Sequence, residues 1–136
     1  MQPPRNNSGQ KSVLVVDDDE DVRELLCDLL IHEGYRVAGA QDGAAALEHL
    51  VSGPPPNVVL LDLTMPKMDG YEFLERRAAD PRLRDIPVVV ISGTTRAHRV
   101  PFPGEYAVTA VLPKPLQPTL LFDVLSSVDN VTMSKH

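Results

Sequence analysis

Asp62 is the residue of this sequence best placed to do chemistry. It follows the unbroken apolar run from Val58 to Leu61 and precedes a loop that ends in Asp69-Gly70. Such a run predicts a strand buried on both faces, and open parallel α/β sheets bind ligands outside the carboxyl ends of their strands. We therefore predict that Asp62 is a nucleophile that accepts a phosphoryl group as an acyl phosphate.

Other polar residues follow the remaining apolar runs. Asp17 and Asp18 come after the first run, Ser92 after the run at 88–91, and Lys114 after the last, weaker run. In a flavodoxin-like strand order of 2-1-3-4-5, these four residues and Asp62 would meet in one crevice at one sheet edge.

Clustered carboxylates repel one another and gain from a divalent cation. Oxygen ligands without a nearby His or Cys suit magnesium or manganese. The metal and Lys114 would offset the charge on the phosphoryl oxygens, and the Ser92 hydroxyl could donate to one of them.

Each of these residues also has an ordinary structural interpretation. Asp17, Asp18 and Asp19 could cap a helix and favour its dipole. Asp62 could form an Asx turn, and Lys114 between two prolines could be a solvated lysine. Their joint spacing favours the functional interpretation.

The strands and helices that position these residues alternate along the chain. The pattern predicts strands near 13–16, 35–40, 58–61, 88–91 and 108–112. It predicts helices after Asp21 and near 44–51, 71–79 and 117–128. The first helix has one apolar stripe (Val22, Leu25, Leu26, Leu29 and Leu30), and Gly34 is a plausible stop. Strands alternating with helices predict an α/β fold with a parallel sheet.

Residues 95–106 interrupt this alternation. Pro101 and Pro103 are incompatible with a regular helix through the segment, so we predict at most one short turn and irregular backbone. We also predict a flexible leader at 1–10, one domain at 11–129 and a polar tail at 130–136.

The composition excludes several classes of protein. The 136 residues suffice for one domain, 43% are hydrophobic, and the net charge of −6 argues against a general nucleic-acid binder. One cysteine excludes an internal disulfide. Without a signal peptide or an apolar run long enough for a membrane span, we expect no membrane insertion and a cytoplasmic protein.

The sequence resembles the receiver domain of bacterial response regulators over roughly 12–128. The shared motifs are Leu-Val-Val-Asp-Asp-Asp at 14–19, Asp62 with Met-Pro-Lys-Met-Asp-Gly at 65–70, Ile-Ser-Gly at 91–93 and Lys114-Pro115. The resemblance implies a flavodoxin-like three-layer sandwich with a five-stranded parallel sheet in the order 2-1-3-4-5, phosphorylation at Asp62 and magnesium as cofactor.

The resemblance also implies roles for the neighbouring residues. Asp18, Asp62 and the backbone carbonyl of Thr64 would bind the metal, with Asp17 acting mostly through a bound water. Ser92 would be the switch hydroxyl and Lys114 would pair with the phosphate. The peptide bond before Pro115 would be cis.

Other positions would modify the response. Thr64 and Thr94 would tune how fast the phosphate is lost. The sequence departs from the family at Val111, where an aromatic switch residue is usual. It departs again between Ser92 and the fifth strand, where the family has its fourth helix, which we expect to be shortened or irregular in this chain.

The expected function is that of a phosphoacceptor in a two-component or phosphorelay system. A histidine kinase or phosphotransfer protein would donate the phosphoryl group, and the output would be a contact with an unknown downstream protein or a phosphate shuttle. We expect a switch with slow autodephosphorylation rather than an enzyme with turnover. The alternatives are a receiver-like scaffold that never takes phosphate and a small phosphohydrolase with an aspartate nucleophile after the first strand, which the Asp17-x-Asp19 pattern loosely fits.

Overall fold

Five parallel strands and four helices make up the described part of the chain. The computed structural model describes residues 11–63, 69–93 and 108–134. The strands are β1 (Ser12–Val16), β2 (Arg36–Ala40), β3 (Val58–Asp62), β4 (Val88–Ser92) and β5 (Ala110–Pro113). The helices are α1 (Glu20–His32), α2 (Gly43–Ser52), α3 (Asp69–Ala79) and α4 (Pro118–Ser134).

The sheet has the order β2-β1-β3-β4-β5, and every neighbouring pair is parallel. This confirms the predicted α/β class and strand order. The parallel registers bring the carboxyl ends of the strands to one edge: Val16 lies beside Leu61, Asp62 beside Ile91, and Ser92 beside Pro113.

Two apolar layers cover the sheet. All five residues of β3 are buried, as the unbroken apolar run predicts. Leu61 belongs to the layer that includes Leu50 of α2 and Phe73 of α3. Leu60 belongs to the opposite layer, with Leu30 of α1. The alternation of side chains along one strand therefore builds a core on each face.

Aspartates cap the start of the first two helices, and a glycine follows the end of α1. The Asp19 side chain accepts a hydrogen bond from the backbone N–H of Val22 at 3.1 Å, and the Asp42 side chain accepts one from Ala45 at 2.8 Å. Gly34 follows α1 with a φ of 97°, a conformation that favours glycine at the end of a helix. The predicted stop at Gly34 is confirmed.

The structure corrects two expectations. The last helix runs to Ser134 rather than ending near Val128, because no glycine or proline stops it in the polar stretch that follows Val128. As a charged residue, Arg77 is expected on a solvated face, but it is fully buried on α3. Its burial lowers the pKa of the guanidinium, which the charge of Asp85 partly offsets.

Other expectations concern residues that the structure does not describe. The irregular backbone predicted at 95–106 lies outside the described residues. The same is true of the shortened helix that was expected there in place of the family's fourth helix, which is a different element from α4. The division into a leader, a domain and a tail stays a prediction. Within the described ranges, no helix is both long and apolar enough to cross a membrane.

Candidate functional site

Asp62 ends the central strand β3 and is nearly buried, with 4% of its surface exposed. Its Oδ2 atom lies 2.9 Å from the Nζ atom of Lys114. The two residues are far apart in the sequence and are brought together only by the strand order. This ion pair places a carboxylate and an ammonium group at the carboxyl edge of the sheet, where parallel α/β folds bind ligands.

Lys114 is positioned by the end of β5. Its backbone N–H donates to the carbonyl oxygen of Ser92 at 3.2 Å, and the peptide bond to Pro115 is cis, as the resemblance implied. The Lys114 side chain is 36% exposed and the Asp62 side chain 6%. The ammonium group is therefore open to solvent on one side and pairs with a buried carboxylate on the other.

Asp17 is the second buried acid at this edge, with 2% of its surface exposed. Its backbone N–H donates to Ala40 at 3.1 Å, and its Oδ1 accepts from the backbone N–H of Asp19 at 2.9 Å. Burial and, to a smaller extent, a hydrogen bond and charge repulsion from Asp62 raise the pKa of Asp17 from 3.8 to about 7. The bond from Asp19 and the charge of Lys114 act in the opposite direction.

The remaining predicted site residues differ in how the structure places them. Asp18 follows Asp17 and is exposed. Ser92 ends β4 beside the β3 edge, is half-buried, and its hydroxyl donates to the carbonyl oxygen of Gly93 at 3.2 Å. Val111 is half-buried and packs against the core layer that contains Leu61. Thr64 and Thr94 lie outside the described residues.

The donor set fits a hard divalent cation. Asp17 and Asp62 are both buried at this edge. Burial, and to a smaller extent the charge of Asp62, raises the pKa of Asp17, so a negative charge on Asp17 is costly. A cation would relieve that cost. Over 11–63, 69–93 and 108–134, no group of three or more His, Cys, Asp and Glu side chains comes together. Magnesium needs only one or two carboxylates, since it usually keeps several waters.

An apolar cavity of about 300 Å³ opens beside the pair of Asp62 and Lys114. Its walls come from α1, the end of β4 and the start of α4, including Leu25 and Leu121. Leu25, predicted to belong to the apolar stripe of α1, is 61% exposed, whereas Leu26 and Leu30 are buried. The outer part of the stripe therefore faces this opening rather than the core.

Sequence reasoning missed one residue that contacts this region. Arg23 of α1 donates from Nη1 to the backbone carbonyl oxygen of Asp17 at 2.7 Å. The sequence feature that could have indicated this contact is the position of Arg23, less than two turns into the helix that follows the acids. An arginine side chain there is long enough to reach back to the loop. Apolar periodicity does not report such a contact.

The fold is that of a small α/β domain with a parallel sheet, which carries buried acids and a paired lysine at its carboxyl edge. Comparison with known proteins gives the family. Residues 13–126 match the model of the response regulator receiver domain, and the chain belongs to that family.

Individual relatives agree with this assignment. The two-component response regulator ORR5 of Oryza sativa subsp. japonica is 35% identical over 111 residues, which is 82% of this chain and 83% of the relative. The solved structure of a sensor protein from Polaromonas sp. JS666 is 30% identical, with a TM-score of 0.76, covering 88% of this chain and 97% of that one. The chemotaxis protein CheY4 of Vibrio cholerae is 28% identical, with a TM-score of 0.74, covering 88% and 98%.

Proposed function

We propose that this chain is a phosphoacceptor switch in which Asp62 receives a phosphoryl group in a magnesium-dependent reaction. The observation that supports the proposal best is the 2.9 Å pair between the Asp62 carboxylate and the Lys114 ammonium group, beside the buried acid Asp17. Membership of the receiver family supports the same conclusion.

The reaction transfers a phosphoryl group to a carboxylate oxygen of Asp62. That oxygen attacks phosphorus and forms a P–O bond, while the bond from phosphorus to the donor breaks. With a phosphohistidine donor the electron pair of the broken P–N bond returns to the imidazole nitrogen, which then takes up a proton. The product on this chain is an acyl phosphate.

Lys114 has two tasks in this reaction. Before transfer it pairs with Asp62 at 2.9 Å, which orients the carboxylate. During transfer its ammonium group offsets negative charge that spreads over the phosphoryl oxygens. We also assign to Ser92 a hydrogen bond from its hydroxyl to one of these oxygens.

Magnesium would be held by Asp18 and Asp62 together with the carbonyl oxygen of Thr64, while Asp17 would act mostly through a bound water. When bound, the ion adds positive charge next to the transferring group. Thr64 and Thr94 are proposed to tune the lifetime of the phosphate, because they follow Asp62 and Ser92 by two residues each.

The partners follow from this chemistry. A histidine kinase or a phosphotransfer protein would supply the phosphoryl group, and a downstream protein would respond to the phosphorylated state. The chain itself would act as an acceptor that slowly loses phosphate, and not as an enzyme with turnover.

The phosphohydrolase alternative is less compatible with the site. It requires Asp17 as nucleophile and Asp19 as its catalytic partner, but the Asp19 side chain accepts a hydrogen bond from Val22 as the N-cap of α1. The Asp19 side chain is therefore held at the start of the helix and would have to rearrange to act as the partner of Asp17.

The test is intact-protein mass spectrometry after incubation with acetyl phosphate and magnesium. We expect the native chain to gain one phosphoryl group and Asp62→Asn to gain none. Asp28→Asn is a matched control, because it makes the same chemical change at an exposed position of α1. Phosphorylation of Asp62→Asn at the native rate would reject the proposal.

Binding of beryllofluoride, which mimics a bound phosphoryl group, distinguishes the proposed function from the scaffold alternative. The proposal predicts magnesium-dependent binding of beryllofluoride to the native chain and none to Asp62→Asn. A native chain that binds neither beryllofluoride nor phosphate would act by contact alone.

A further inference from the structure

We propose that Arg23 is a positioning residue for the metal site, because it fixes the peptide group that joins Asp17 to Asp18. Its Nη1 donates to the carbonyl oxygen of Asp17 at 2.7 Å. That carbonyl and the N–H of Asp18 lie in one planar peptide group, so its orientation determines the direction in which the chain continues to Asp18. The inference rests on the proposed function, in which Asp18 binds the metal.

The other polar groups of Asp17 are held by the backbone. Its N–H donates to Ala40 at 3.1 Å, and its carboxylate accepts from the N–H of Asp19 at 2.9 Å. These two contacts hold the strand end and the side chain. The carbonyl oxygen of Asp17 instead accepts a hydrogen bond from Arg23. A side chain of α1 therefore helps to fix the loop that follows β1.

Gly39 of β2 leaves room for the Arg23 side chain. A Cβ atom at Gly39 would lie 3.2 Å from Cδ and 3.5 Å from Cγ of Arg23. Gly39 pairs with Val15 in the regular β1–β2 ladder, so no unusual backbone geometry requires a glycine there. Its lack of a side chain leaves space beside the strand for Arg23. The arginine stem crosses that space to reach the Asp17 carbonyl.

The chemistry of the contact favours arginine over lysine. A hydrogen bond from a charged donor is stronger than one between neutral groups. The guanidinium group also offers several donors in a rigid planar fork, whereas a lysine offers a compact ammonium group on a flexible stem. Arg23→Lys should therefore preserve the positive charge but only partly preserve the orientation of the peptide group between Asp17 and Asp18.

The experiment measures the dissociation constant of Mg²⁺ by titration calorimetry. Arg23→Met keeps an aliphatic stem and removes the donors, so we expect roughly tenfold weaker binding. Arg23→Lys should fall between the native chain and Arg23→Met. Gly39→Ala leaves the arginine in place but crowds it, and should weaken Mg²⁺ binding by a smaller factor.

Arg36→Met is the matched control. Arg36 is exposed at the opposite end of β2 from Ala40, and its replacement removes the same charge from the chain. We expect native Mg²⁺ affinity in this variant. A loss equal to that of Arg23→Met would mean that only net charge matters, which would overturn the proposal.

A second measurement separates positioning from ordinary stabilisation. With acetyl phosphate, Arg23→Met should need more Mg²⁺ to reach half of its maximal phosphorylation rate but should approach the native rate at saturating Mg²⁺. Urea unfolding in EDTA measures the stability of each metal-free variant independently. A purely structural role would lower that stability and leave the Mg²⁺ dissociation constant unchanged.

Three further outcomes decide the matter against the inference. A folded Arg23→Met with native Mg²⁺ affinity overturns it. If Arg23→Met does not fold, native affinity in both Gly39→Ala and Arg23→Lys overturns it. If the native chain binds no Mg²⁺, the proposed function fails first and this inference fails with it, so the two failures are distinguishable.

Discussion

At the scale of single residues, Asp17 determines how the site responds to pH. Its pKa is about 7 in the fold against 3.8 ordinarily, chiefly because it is buried and secondly because it faces Asp62. Between these values the folded chain holds a proton that the unfolded chain has released. The metal-free protein should therefore lose stability as pH rises through this window and level off above pH 7.

Asp17→Asn tests this account. The variant has no proton to lose at this position, so its free energy of unfolding in EDTA should vary less between pH 5 and pH 8 than that of the native chain. It should also gain less stability from added Mg²⁺, whereas the native chain should gain more at pH 8 than at pH 6. Urea unfolding at each pH measures both, and parallel curves for the two proteins would contradict the prediction.

Lys114 should contribute mainly to the rate of phosphorylation. In Lys114→Gln the phosphoryl oxygens lose a nearby positive charge, and removal of such a donor typically slows a reaction by about 10² or more. Since Lys114 is 36% exposed, we expect a loss nearer tenfold. The rate is measured by mass spectrometry with acetyl phosphate and Mg²⁺.

The matched control for Lys114 is Lys11→Gln. Lys11 precedes β1, at the amino edge of the sheet, and the same substitution there should leave the rate unchanged. Equal rates in Lys114→Gln and the native chain would show that the ion pair with Asp62 does not assist the transfer.

At the scale of elements, α2 depends on its N-cap. Asp42 accepts a hydrogen bond from the backbone N–H of Ala45 at 2.8 Å. Asp42→Ala should cost about 1 kcal/mol of unfolding free energy, whereas Asp42→Ser keeps an acceptor and should cost less. Asp123→Ala, an exposed change within α4, is the control. Urea denaturation that shows equal stability for Asp42→Ala and Asp42→Ser would reject the capping role.

The elements also show why the sequence predicts some features and not others. Continuous apolar runs such as that of β3 have few alternative structures, so the strands were predictable from the residues, whereas their order was implied by the resemblance to the receiver family. The proximity of Asp62 and Lys114 could be predicted because the carboxyl ends of parallel strands lie at one edge of the sheet. Burial of Arg77 was not predictable, since the charge of its side chain indicates solvent exposure and only tertiary packing reverses that. The contact between Arg23 and Asp17 likewise depends on how α1 lies against the loop.

At the scale of the whole molecule, the sheet separates two apolar layers. Leu30 of α1 lies in one layer and Leu50 of α2 in the other, and both are buried. Side chains on opposite faces of the sheet share few contacts. Truncation in one layer should therefore leave the packing of the other layer unchanged.

Leu30→Ala and Leu50→Ala should each cost about 2–5 kcal/mol of unfolding free energy. The double variant should lose the sum within about 0.5 kcal/mol, because distant sites without shared partners act independently. Urea titrations of all variants are made in the same concentration of sucrose, which strengthens burial and extends the folded baseline of the double variant. A coupling energy well above that limit would show that β1 and β3 transmit strain between the layers. The proposed metal site at their carboxyl ends would then be sensitive to packing on both faces.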